Sequence, residues 1–290
     1  MIDGILVQRE IVMMKRVSRI VMGPLFCVLF LTPWMLGNSE CNAFVGTADK
    51  GTGPALIYSA RQLIDKGDYT GALAQIALLS PADRVGHDGR IVEATAYAGR
   101  CGLNLVNLAN DVATLISSKK LMEILLSNMK GAASEADCTS SEGLVVQIPA
   151  ADMSSDDYAF LAFVEFARIG SLLRRLVDAN KDGVVDGDTI CSAGTSGGAN
   201  YTDTDAGTIG VAFNRAIAAL NSSGVTLGGS FVTSYQAACA AGLNCTVQTT
   251  NGYTAMEARA LRTLARTNDV GLKTCATGSG AFSDPSCFCP

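Results

Sequence analysis

Eight cysteines behind one uncharged apolar segment constrain this chain more than any other feature. Cys101, Cys138, Cys191, Cys239, Cys245, Cys275, Cys287 and Cys289 all follow the run 20–39, which itself follows the basic residues Lys15, Arg16 and Arg19. Basic then apolar is the order of an export signal. An even number of cysteines in an exported chain points to disulfides, because they form and persist in oxidising compartments.

Asp3 and Glu10 suit the amino end of an export signal poorly, so translation is expected to begin at Met13 or Met14. The small residues around Cys41, Asn42 and Ala43 place signal cleavage after Ala43. The alternative is Cys41 as a lipidated first residue, although Glu40 beside it fits that processing badly. Pro24 and Pro33 interrupt a run barely long enough to span a bilayer, which disfavours an uncleaved anchor.

Spacing does not fix the disulfide pairing, but Cys239 and Cys245 are close enough to bridge a short helix–turn segment and are the first pair expected. Cys287 and Cys289 flank only Phe288, so each is expected to reach a different upstream partner. A redox or metal site at that tail is disfavoured, since the chain has no Cys-x-x-Cys and one histidine, His87.

The roughly 245 residues beyond Ala43 suffice for one sizeable domain or two small ones. Charged residues make up 17% of the chain and the net charge is -5, which gives no electrostatic reason to bind nucleic acid.

Apolar periodicity predicts an all-α chain of helical hairpins in a repeat-like bundle, stapled by disulfides, with a loop-rich C-terminal part. After the export signal (1–43) and a flexible leader (44–53), a first helical part (54–130) begins near Pro54 with two short antiparallel helices between Leu56 and Leu79. A third helix is expected from Arg90 to Gly102, its small residues Ala94, Ala96, Ala98 and Gly99 permitting close approach, followed by helices at 104–117 and 119–129. Residues 131–153 read as the internal boundary, with an extended segment at 144–149. In the second part (154–290), Ser154 or Ser155 with Asp156 and Asp157 starts the strongest helix, running to Val177, and further helices are expected at 205–220, 234–241 and 253–267.

The stretch Ile64-Asp65-Lys66-Gly67-Asp68-Tyr69-Thr70-Gly71-Ala72, with Ala94 and Tyr97-Ala98-Gly99 in the next helix, resembles a tetratricopeptide repeat over about fifty residues. Pro81 departs from the usual period. The resemblance implies stacked helix pairs with a concave surface for a protein or peptide; the competing reading is an ordinary hairpin whose tight turn favours Gly-Asp.

The sequence Asp178-Ala179-Asn180-Lys181-Asp182-Gly183-Val184-Val185-Asp186-Gly187-Asp188 resembles the calcium loops of EF-hands, dockerin modules and thrombospondin-type acidic repeats. A hard cation needs six or more oxygens, and alternating side chains of a tight loop converge on one point. Asp178, Asn180 and Asp182 supply the first three, Gly183 the sharp turn, the Val184 carbonyl the next, and Asp186 a direct or water-mediated ligand. Thr189 stands where an EF-hand has a bidentate glutamate, so Asp188 or another segment would complete a weak Ca2+ site. The competing reading is a solvated turn in which Asp and Asn cap backbone groups.

Other chemistry is thin. His87 lies among turn residues and is expected in a surface loop, Asp156 and Asp157 are explained by the dipole at a helix start, and the glycines near 194–198 lack a phosphate-cradle ending. The leading expectation is an exported bacterial envelope protein, periplasmic or outer-membrane-associated in a Gram-negative-type cell and otherwise secreted. It is read as a non-catalytic scaffold for a protein or peptide partner, touching membrane only through its signal segment or a lipid on Cys41. The alternatives are a small-ligand carrier or transporter accessory protein, which would show an apolar pocket, and an enzyme with a carboxylate-only site, which would show two facing acids with shifted titration.

Overall fold

Pro54 stands in the first turn of the first described helix of the computed structural model, where its missing N–H costs nothing. The structure describes residues 51–104, 107–108, 121–129, 134–178, 202–225, 230–246 and 253–267. The chain divides into Met1–Thr47 and Ala48–Pro290, and all described residues belong to the second unit. The expected export segment (1–43) and residues 44–50 of the expected leader lie outside the described residues, and Gly53, the last residue of that leader, already belongs to the first helix.

Ten helices are described: α1 (Gly53–Asp65), α2 (Tyr69–Ile76), α3 (Pro81–Val85), α4 (His87–Arg100), α5 (Leu121–Asn128), α6 (Glu135–Val145), α7 (Ser155–Val177), α8 (Asp203–Ser223), α9 (Ser230–Ala240) and α10 (Ala255–Arg266). The all-α expectation holds, with no strand among the described residues. Among those residues, no helix is long and apolar enough to cross a membrane.

Helix starts follow local chemistry. Ser154, Thr202 and Thr254 each accept a hydrogen bond from the backbone N–H three residues on, while Asp157, Asp205 and Glu257 reach back to the cap. These reciprocal pairs satisfy donors that a helix start would otherwise leave orphaned. Between α1 and α2, Gly67 takes a left-handed φ of 77° and Asp68 caps α2 through the Gly71 N–H.

Helix α4 organises the packing because it is buried on two sides. Val92 and Ala96 join Leu56, Ala60, Ala72, Ile76 and Leu79 in a small cluster with the α1–α2 hairpin. Ala94, Ala98 and Cys101 belong instead to the main core, built largely from α5 to α10. Small side chains let both neighbours approach closely, as the sequence suggested: a Cβ on Gly99 would lie 2.1 Å from the Tyr69 ring.

Among the described residues the α7–α8 pair forms the largest helix–helix interface, and the two helices supply Phe166, Ile169, Leu172, Leu173, Ile209 and Phe213 to the main core. Each such side chain, once fully buried, contributes about 1.5–3 kcal/mol of transfer free energy. Helix α6 packs on both α4 and α7. The Cys101–Cys138 disulfide, the Ser141 Oγ bond to the Ala94 carbonyl at 2.8 Å and the Arg100–Asp137 ion pair at 3.1 Å fix it to α4.

Two sequence expectations are corrected here. Residues 144–149 are not extended: Leu144 and Val145 end α6 and a turn follows, its Ile148 N–H bonding the Val145 carbonyl. The segment 131–153, read as a boundary, carries α6, whose buried face includes Asp137, Ser141 and Glu142 and so lacks an apolar period. The helix expected at 104–117 lies almost wholly outside the described residues.

Candidate binding site

The turn after α6 and the facing sides of α7 and α8 enclose an open groove of about 510 Å³. Val146, Gln147, Ile148, Pro149 and Ala150 form one wall, with Met153 beside them; Tyr158 and Leu161 come from α7, and Arg215, Ala218, Ala219 and Ser222 from α8. Helical spacing explains the α8 wall, since residues three and four apart share a face. Tyr158 ties α7 to the turn through its hydroxyl, 3.4 Å from the Ala150 carbonyl.

Arg215 is the one charged residue in that lining, and a buried cluster stands behind it. Its Nη1 contacts Glu142 Oε1 of α6 and lies 3.6 Å from Glu165 Oε1 of α7. Arg168 Nη1 completes the arrangement, 3.7 Å from Glu142 Oε2 and 3.6 Å from Glu165 Oε2. Glu165 is fully enclosed, and neither of its carboxylate oxygens has a hydrogen-bond partner.

The electrostatics follow from that enclosure. Burial pushes the Glu165 carboxyl up to about 8, against the opposing pull of Arg168. Burial also lowers the Arg215 guanidinium from its ordinary value, though arginine stays a cation in proteins. Neither glutamate is part of the groove lining, so the acids hold Arg215 from behind.

A smaller cavity of about 280 Å³ lies beside the same turn, sharing Gln147, Ile148 and Pro149 and adding Val85, His87, Arg90 and Asp152. Arg90 donates to the Gln147 carbonyl. His87 is at the surface, as the sequence suggested, but it opens α4 rather than lying in a loop, because extended Gly86 caps the helix there. Its Nε2 is 3.0 Å from Asp157 Oδ2, joining α4 to the start of α7. That hydrogen bond raises the His87 value. Burial alone would raise the Asp157 carboxyl, but bonds from Ser154 and His87 hold it below its ordinary value.

Of the proposed calcium ligands, Asp178 alone is described; Asn180, Asp182, Val184, Asp186 and Asp188 lie outside the described residues. Asp178 is buried at the end of α7, its Oδ2 3.5 Å from Arg174 Nε. Among the described residues, no group of three or more His, Cys, Asp or Glu is placed to hold a metal. Of the cysteines, Cys239 pairs with Cys245 as expected and Cys101 with Cys138; Cys191, Cys275, Cys287 and Cys289 lie outside the described residues.

The charge cluster was missed in the sequence because Glu142 and Arg215 are 73 residues apart. One signal was present: Glu165 and Arg168 lie on the same helical stripe as Leu161 and Leu172, where every other residue is apolar and buried. Compared with known proteins, the chain matches no family model, no curated protein and no solved structure.

Proposed function

We propose that this protein is an exported, non-catalytic helical scaffold of a bacterial cell envelope that binds a protein or peptide partner in the groove between the 146–150 turn and α7–α8. The observation that carries the reading is the groove's form. Val146, Pro149, Ala150, Ala218 and Ser222 are exposed along it, while Ile148, Leu161 and Ala219 lie buried in its floor. Such a surface suits a chain that lies across it and inserts apolar side chains.

The two disulfides support the exported part of the reading, since such bonds persist in oxidising compartments. They agree with the basic-then-apolar amino-terminal segment. The α1–α2 hairpin and α4 supply the tetratricopeptide-like part of the scaffold. The reading includes one structural calcium ion on the 178–188 loop, supported by its alternating oxygen-bearing residues.

The small-ligand carrier is the second reading, favoured by the groove volume of about 510 Å³, which falls in the range of small-molecule sites. A carboxylate-only enzyme is favoured less, because Glu142 and Glu165 stand behind Arg215 rather than in the groove.

Filling the groove from its solvent side tests the proposal. Ala218→Trp with Ser222→Trp, both at exposed positions, should abolish chemical cross-linking to a partner in the natural host while leaving the melting temperature unchanged. A partner retained at wild-type yield would exclude the groove.

A further inference from the structure

We infer that the Cys239–Cys245 bridge is a reversible dithiol–disulfide switch, opened by an external dithiol, that governs how firmly the start of α10 is held. The two described bridges are built differently, and the groove plays no part in the contrast.

Access separates them. Cys101 and Cys138 are fully enclosed in the main core, each 0% exposed. Cys239 and Cys245 are only partly buried at the edge of that core, and Ala240, Ala241, Gly242, Asn244 and Thr246 around them are exposed. Exchange needs a thiolate to reach a sulfur, so exposure decides which bridge reacts. The exposed neighbours are small, and residues 216–256 contain no charged side chain, so the segment itself neither blocks nor repels an incoming thiolate.

The cost of opening differs in the same direction. Cys101 and Cys138 are 37 residues apart and join α4 to α6, whereas Cys239 and Cys245 are 6 apart at one helix end. A shorter closed loop restricts the unfolded chain less, so its bridge contributes less to stability. The backbone also holds the corner without the sulfurs. Gly242, at a φ of 107°, closes α9 with its N–H on the Cys239 carbonyl at 3.2 Å, and the N–H of buried Leu243 bonds the Ala238 carbonyl at 3.0 Å. Those bonds keep the two thiols near one another after reduction, so the bridge can form again.

What the bridge governs lies next to Cys245. The Asn244 N–H donates to Glu257 Oε1 at 3.2 Å, while Glu257 Oε2 accepts from the Thr254 N–H and hydroxyl in the capping box of α10. Cys245 therefore ties down a turn that braces the residue on which α10 starts. With the bridge open, Asn244 is held to α9 through Leu243 alone, and the brace on Glu257 loosens.

The dithiol balances the exchange. One of its thiolates bonds to a sulfur of the pair and breaks the Cys239–Cys245 bond, releasing the other cysteine as a thiolate. Its second thiolate bonds to the first sulfur of the dithiol, breaks the mixed disulfide and frees the remaining cysteine. Two electrons and two protons reach the pair, and the dithiol leaves as a disulfide.

The test is graded reduction of the oxidised, exported chain by dithiothreitol at neutral pH, with iodoacetamide trapping and peptide mass mapping of each cysteine. Half-reduction of Cys239 and Cys245 should need at least about tenfold less dithiothreitol than that of Cys101 and Cys138. In that window far-ultraviolet circular dichroism should be unchanged and oxidised glutathione should restore the bridge. Amide exchange should rise at Asn244, Glu257 and Ala258 and not along α7. Cys239→Ser with Cys245→Ser should reproduce the faster exchange, and the wild-type measurement covers the case in which that variant misfolds.

Reduction of both bridges together, or of Cys101–Cys138 first, overturns the switch. So does a reduced Cys239–Cys245 pair with unchanged exchange at Glu257, or a loss of helix in that window, since either makes the bridge a structural staple.

Discussion

Glu165 Oε1 lies 3.6 Å from Arg215 Nη1, close enough to feel its charge and too far to accept its hydrogen bond. Burial outweighs the opposing pull of Arg168 and pushes the Glu165 carboxyl up to about 8. The folded state holds that proton where the unfolded chain, with an ordinary carboxyl, releases it. Its contribution to stability is complete below the unfolded value near 4.5, declines as pH rises through the interval, and is gone above about 8. Glu165→Gln should flatten this slope, so that the variant gains about 1–3 kcal/mol relative to wild type between pH 5 and pH 9. Urea unfolding at the two pH values measures it; parallel pH profiles would refute it.

The His87–Asp157 bond runs in the same direction and is smaller. The folded His87 value is raised, so its contribution is complete below the unfolded value of 6.5 and is lost as pH climbs through the folded one. Its side chain is 39% exposed, so solvent screening limits the effect to about 0.5 kcal/mol. His87→Gln should raise amide exchange at the start of α4 at pH 6 and leave it unchanged at pH 9. Equal exchange in both proteins at pH 6 would show that the bond contributes nothing.

Gly89 is a packing requirement. A Cβ there would sit 2.3 Å from the Asp83 carbonyl oxygen and 2.8 Å from that of Arg84, and backbone cannot move aside as a side chain can. Gly89→Ala should cost about 1–3 kcal/mol despite the better helix propensity of alanine. A thermal midpoint at or above wild type would mean that α3 and α4 are not apposed this way.

Calcium should bind weakly at the 178–188 loop. Arg174, 3.5 Å from Asp178, competes electrostatically with a cation for the first ligand. Isothermal titration should show Asp178→Ala with Asp182→Ala losing heat that wild type releases, with a dissociation constant in the range of about 10⁻⁴–10⁻³ M typical of extracellular modules. Identical heats would remove the ion from the account.

The start of α7 was legible because Ser154 with Asp157 is local chemistry, whereas Thr202 with Asp205 and Thr254 with Glu257 carry the same signal and went unread, so those helices were expected at 205–220 and 253–267 rather than from Asp203 and Ala255. The Cys239–Cys245 bridge was equally local, spanning one helix end. Helix α6 was hidden because Ser141 and Glu142 face inward to partners on other helices, Ala94 and Arg215, and so break the apolar period. Helix α3 was hidden by its brevity, although Ser80, Pro81 and Asp83 carry a start signal. The groove is a tertiary object, assembled from a turn and two helices far apart in sequence, and only the polar stripe through Glu165 and Arg168 hinted at it.

The most direct measurement is site-specific photo-cross-linking in the natural host, with the reactive group placed at Ala218 in the groove and, as a control, at exposed Gln62 on α1. The account expects one discrete adduct from position 218, lost when Ser222 is changed to Trp, and none from position 62. Adducts from 62 alone, or equally from both, would contradict it.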